Sequence, residues 1–128
     1  MSGWDVLGLP CERVNELLKL ELTGGAVHIS EKVLQHIKER HPLDGVDDMQ
    51  VIESVIIAPD YIGQAPHHQE NFELIKCVED RYVLVAVSGR LNDYGKYPVQ
   101  SAYTVPRDTI HRRIRKGYLN ICKDGKEA

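Results

Sequence analysis

Long apolar runs, closely spaced cysteines and phosphate-cradling glycine loops are all missing from this chain of 128 residues. Without a run of about 18 apolar residues, no helix is expected to cross a membrane. The three cysteines, Cys11, Cys77 and Cys122, lie far apart, which gives neither a disulfide framework nor a zinc ribbon. They read as reduced and structural, with Cys77 a small buried hydrophobe in a strand-like run. The opening Met-Ser-Gly-Trp-Asp lacks a basic region followed by an apolar stretch, so no secretory signal is expected. A cytoplasmic location follows, or delivery into a target cell's cytoplasm by some other route. No phosphate-binding glycine loop, metalloprotease histidine pair or serine nucleophile motif occurs, which removes the large NTPase and hydrolase classes. Repeats, linkers and low-complexity segments are absent too, so residues 1–128 read as one domain.

What is present is an uneven charge distribution. Net charge is only −3, yet residues 1–75 carry five Lys/Arg against thirteen Asp/Glu, and residues 76–128 carry eleven against six. The densest basic stretch is Arg107-Asp-Thr-Ile-His-Arg-Arg-Ile-Arg-Lys116. A polyanion would be drawn to that half, although a solvated helix face would look the same.

The hydrophobic pattern changes period along the chain. Pro10 to Leu20 predicts a short helix with Val14, Leu17 and Leu18 on one side, broken by Thr23-Gly-Gly25. Val27-His-Ile29 predicts a brief extended piece. Ser30 can cap a second helix, which runs to about Arg40 and ends before Pro42. Asp47 opens a third, with Gln50 in the capping-box position and Val51, Ile52, Val55 and Ile56 as its buried stripe; Pro59 stops it. Alternation then replaces helical period. Asn71–Val78, Arg81–Ser88 and Tyr97–Val105 read as strands, with Tyr61–Gln64 a shorter one. Glu79-Asp80 is a tight hairpin link and Gly89 to Gly95 a longer loop. Pro106 to Lys116 predicts a last helix, stopped at Gly117, before a charged and frayed end. Helices followed by strands imply an α+β domain. Its N-terminal helices are expected on one face of a four-stranded (three to five) antiparallel sheet, with a C-terminal helix.

Several residues could carry chemistry. On a helical wheel Val33, Leu34 and Ile37 form a stripe that His41 joins, with Arg40 at its edge and His36 on the flank. His41 would face the sheet at a helix C-terminus, either as a satisfied core histidine or as a functional one. Lys76 interrupts an apolar strand face shared with Phe72, Leu74 and Val78, and so either snorkels at an edge or serves a site. In the strand Val99 to Thr104, Ser101 and Tyr103 share one face while Gln100 and Thr104 share the other. These are ordinary strand residues or a row of hydroxyl donors for a phosphate. His67-His68 would need partners to hold a metal, and the sequence offers none at ligand spacing. His28 could join a site, and His111 sits in the basic helix.

The order of these pieces carries a resemblance. His36-Ile-Lys-Glu-Arg-His41-Pro42, Ala58-Pro-Asp-Tyr-Ile62, Tyr82-Val-Leu-Val-Ala-Val87 and Gln100-Ser-Ala-Tyr-Thr104 follow one another as in the barnase–EndoU–colicin–RelE nuclease superfamily. The branch found in phages and polymorphic toxins is the most similar, over a core of about residues 28–117. The resemblance implies a metal-independent ribonuclease with no cofactor and no metal ligands. It makes His41 the leading acid/base group with His36 beside it, has Lys76 stabilise the phosphorane, and has Ser101, Tyr103 or Thr104 bind the phosphate. Arg40, Arg112, Arg113, Arg115 and Lys116 would contact RNA. The implied partners are RNA, tRNA among its candidates, and an immunity or antitoxin protein. The other reading is a binding module on the same fold that has lost catalysis and serves a protein or RNA partner.

Overall fold

The computed structural model describes residues 3–40, 48–64 and 70–121. Four helices and seven strands are formed among them, in the order β1 (Trp4–Val6), α1 (Cys11–Leu18), β2 (Val27–Ile29), α2 (Glu31–Arg40), α3 (Asp48–Ile57), β3 (Tyr61–Gln64), β4 (Asn71–Val78), β5 (Arg81–Ser88), β6 (Tyr97–Val105), α4 (Arg107–Arg115) and β7 (Leu119–Ile121).

Local chemistry sets the ends of these elements. The Ser30 hydroxyl accepts from the Val33 N–H at 3.1 Å and so caps α2. Asp47, expected to open α3, lies outside the described residues. Glu79 and Asp80 both have positive φ, at 49° and 68°, the geometry of a two-residue hairpin turn whose twist matches its strands. Gly117 has φ +80°, and the Tyr118 N–H returns to the Arg113 carbonyl at 2.9 Å, closing α4 with the left-handed glycine stop.

The sheet is larger than the four-stranded antiparallel one expected. Its strand order is β1-β2-β6-β5-β4-β3-β7. Four central strands, β3 to β6, pair antiparallel as the sequence implies. The departure is at the margins. β2 joins β6 in parallel, which makes the sheet mixed. β1 then pairs with β2, and β7 adds to β3 on the opposite edge. Both edge strands are three residues long, too short to display an alternation that a sequence reading could detect.

The main core fills the space between α1–α3 and one sheet face, which we call the inner face. Val14, Leu34, Ile37, Ile52 and Val55 meet Phe72, Leu74, Val83, Val85, Val87, Val99 and Ala102 there. Helix α4 covers part of the outer face, where Ile110 and Leu119 meet Ile75 and Leu84. Cys77 was expected to be buried but is exposed. Its odd position in β4 takes it off the Phe72–Leu74 face, and its backbone N–H is held by the Asp60 carboxylate at 2.9 Å.

Candidate functional site on the outer sheet face

Strand alternation sorts polar from apolar residues across the sheet. Phe72 and Leu74 of β4, Val83, Val85 and Val87 of β5, and Tyr97, Val99 and Ala102 of β6 all enter the inner core. Their neighbours Glu73, Ala86, Pro98, Ser101 and Tyr103 therefore point to the outer face. The register puts Gly63, Glu73, Ala86 and Ser101 in one row across β3 to β6. The next row, Tyr61, Ile75, Leu84 and Tyr103, runs into the apolar cluster under α4. The outer face is thus apolar beneath α4 and polar just beyond it. A bulge at Ala86/Val87 leaves Gln100 without an opposite residue; without it, Ser101 would turn to the inner face.

The polar part holds a buried ion pair. Glu73 is 5% exposed, yet it stands in the middle of a central strand. Its Oε1 accepts from Arg113 Nη1 of α4 at 2.5 Å. A buried carboxylate is tolerated only when paired and hydrogen-bonded, so α4 delivers the cation that Glu73 requires. Beside the pair, burial pushes the Tyr103 phenol above its usual range, the Glu73 charge pushes the same way and the Arg113 charge opposes. Tyr103 is therefore a protonated hydroxyl at neutral pH. Gly63 lies next to Glu73 in the row, and a Cβ there would meet Leu119 Cδ2 at 2.4 Å and the Tyr118 carbonyl at 2.5 Å.

A second polar group lies on the same face nearer the sheet edge. Val27 and Ile29 are in the inner core, so His28 between them faces outward. Its Nδ1 meets Asp5 Oδ1 at 2.8 Å, and Asp5 Oδ2 accepts from Lys96 Nζ at 2.6 Å. Lys96 and His28 hold the Asp5 carboxyl below its usual range, Lys96 contributing more.

The residues singled out in the sequence fall into separate places. Ser101, Tyr103 and Arg113 come together on the outer face. Thr104 and Lys76 flank Val83 on the inner-face parity. The Lys76 ammonium donates to the Ala58 carbonyl at 2.9 Å, just past the end of α3, a helix with no basic residue in its own last turn. Arg40 and His36 are exposed on α2, and Arg112, Arg115 and Lys116 are exposed along α4 or its end, with His111 among them. His41, His67 and His68 lie outside the described residues. Glu73 was missed in the sequence. Its signal was a single acid inside Phe72-Glu-Leu-Ile75, on the opposite parity from the hydrophobes that define the core.

The outer face combines a carboxylate, a guanidinium, a phenol and a hydroxyl, with an exposed basic helix adjoining. That set suits proton transfer beside a phosphate. No described helix is long and apolar enough to cross a membrane. No curated protein and no solved structure matched the chain. Residues 6–112 match the family described as "phage-Barnase-EndoU-ColicinE5/D-RelE like nuclease3". This span takes in all three N-terminal helices, β2 to β6 and most of α4, so the chain belongs to that nuclease family.

Proposed function

We propose that the protein is a metal-independent endoribonuclease whose active centre is the polar part of the outer sheet face. The observation that carries this reading is the buried Glu73–Arg113 pair, set beside Tyr103 and in one row with Ser101. RNA supplies its own nucleophile, the 2′-hydroxyl. The Glu73 carboxylate takes its proton as the oxygen attacks phosphorus. Arg113, the Tyr103 phenol and the Ser101 hydroxyl stabilise charge on the phosphoryl oxygens, where preorganised donors are most effective. Arg112, Arg115 and Lys116 guide the backbone along α4 by long-range attraction. The products are a 2′,3′-cyclic phosphate and a 5′-hydroxyl. DNA has no 2′-hydroxyl and is not cut.

The test is cleavage of total tRNA and of a sequence-matched DNA in EDTA, with end analysis of the products. RNA cutting alone, with cyclic-phosphate ends and its loss in Glu73→Gln, is the expected result. Cutting of both polymers, or dependence on a divalent cation, would overturn the mechanism. Tight RNA or protein binding with no cutting of any RNA would make the chain a catalytically silent binding module instead.

A further inference from the structure

The reaction above, on which this inference rests, also needs an acid for the leaving oxygen; Glu73 is the base, Arg113 and Ser101 are donors to the phosphoryl oxygens, and Tyr103 serves the same oxygens from the row beneath α4. We propose that His28 is that acid and that Asp5, itself fixed by Lys96, is its positioning residue. Three observations support the assignment.

The first is placement. His28 shares the outer face with Ser101, and its strand β2 is the immediate neighbour of β6, in register His28 with Pro98. Glu73 lies two strands beyond Ser101 on the other side. A phosphate above Ser101 and Ala86 therefore has Glu73 to one side and His28 to the other. In-line displacement needs this, because the entering and leaving oxygens lie on opposite sides of phosphorus. The lateral backbone gap across three strand spacings is about 14 Å, and the His28–Pro98 register sets His28 further along β6 than Ser101.

The second is the ring's surroundings. An ionised Asp5 can only accept, so Nδ1 carries a proton and donates it to Oδ1. Among the described residues no buried side-chain nitrogen or oxygen lacks a partner, and the ring's bond is made through Nδ1. Nε2 is the ring's other nitrogen, on a histidine that is 7% exposed. A carboxylate on one ring nitrogen fixes the ring's orientation while the other nitrogen works.

The third is Gly3. Its φ is +126°, and a Cβ there would lie 2.8 Å from both Cε1 and Nε2 of His28. The chain therefore packs against the Cε1–Nε2 edge of the ring, and only glycine fits between that edge and the Ile29 carbonyl.

In the step, the 2′-oxygen forms its bond to phosphorus as its proton passes to Glu73. The bond from phosphorus to the 5′-oxygen breaks, and its electron pair stays on that oxygen. The oxygen takes the proton from Nε2 and leaves as the alcohol. Solvent then returns a proton to His28 and removes one from Glu73, restoring the start.

The experiment compares ordinary RNA with RNA carrying a 5′-bridging phosphorothiolate, whose thiolate leaves without protonation. His28→Asn keeps a donor for Asp5 at the Nδ1 position but has no Nε2. It is expected to cut ordinary RNA about 10²–10⁴-fold more slowly and the thiolate substrate within about tenfold of wild type on the same scale. Asp5→Asn is expected to show a smaller loss with the same rescue, and Glu73→Gln no rescue at all. Equal cutting of ordinary RNA by His28→Asn and wild type would overturn the assignment alone. Loss without thiolate rescue, in a variant with a wild-type melting curve, would overturn it too. A wild type inert toward both substrates would overturn the ribonuclease reading and this inference together.

Discussion

Removing the guanidinium from Glu73 is the perturbation that bears hardest on the outer-face site. The Glu73 side chain is 6% exposed and that of Arg113 is 22% exposed. Arg113→Met keeps most of the aliphatic packing and leaves a carboxylate with no cation in a nearly closed site. Breaking a buried pair by deleting one partner costs about 3–5 kcal/mol. Arg113 is partly open to water, so the lower end, about 3 kcal/mol, applies here. Glu73→Gln leaves a neutral group of the same shape and should cost only about 1 kcal/mol. In the double variant the stranded charge is gone, so the two losses should not add; a coupling of about 2 kcal/mol or more is expected. Urea unfolding at pH 7, with unchanged slopes for all four proteins, measures the cycle. Arg113→Met within about 0.5 kcal/mol of wild type, or strict additivity, would refute the claim that Arg113 is fixed by Glu73.

Three further outcomes are expected. Lys76→Met removes the cation at the end of α3 and should cost about 1 kcal/mol in urea unfolding, while leaving the RNA cleavage rate within about threefold, the equivalent of under 1 kcal/mol. A loss of 10²-fold or more would place Lys76 in the chemistry after all. Gly63→Ala drives a methyl group into Leu119 and the Tyr118 carbonyl and should destabilise by about 1–3 kcal/mol, with hydrogen exchange accelerated first in β7. The raised Tyr103 phenol sets an alkaline limit. Above its unfolded value near pH 10 the native state holds more protons than the unfolded one, so stability falls as pH rises; Tyr103→Phe should flatten that fall.

How much could be read in the sequence follows from where the information sits. Asn71–Val78 and Arg81–Ser88 declare themselves because central strands covered on both faces along part of their length are rich in apolar and β-branched residues between turn residues, and their bounds match the structure. Ser30 and Gly117 mark helix ends because each solves a local hydrogen-bonding problem. β1 and β7 are strands only because β2 and β3 offer them open edges, so nothing in three residues announces them. Lys76 was correctly seen on an apolar face, but its partner is a backbone carbonyl 18 residues earlier, which no spacing rule finds. The site suffers most from this. Glu73 meets Arg113 forty residues later, and Asp5 meets His28 across a pair of strands. These meetings depend on register, and a shift of one residue in any strand would exchange the two faces. The face shared by Ser101 and Tyr103 was legible; that it is the one opposite α1–α3 became visible only with the core in place.

The claim at the centre of the account is that RNA lies on the outer face, between α4 and β2. The most direct measurement is backbone amide chemical-shift mapping with a short 2′-O-methyl RNA, which binds as RNA but has no free 2′-hydroxyl to attack. The expected perturbations cluster at Glu73, Ala86, Ser101, Tyr103 and Arg113 and extend to His28. Perturbations gathered instead at Lys76, Thr104 and the ends of α2 and α3, with Glu73 and Ser101 silent, would contradict the account and move the site to the opposite face of the sheet.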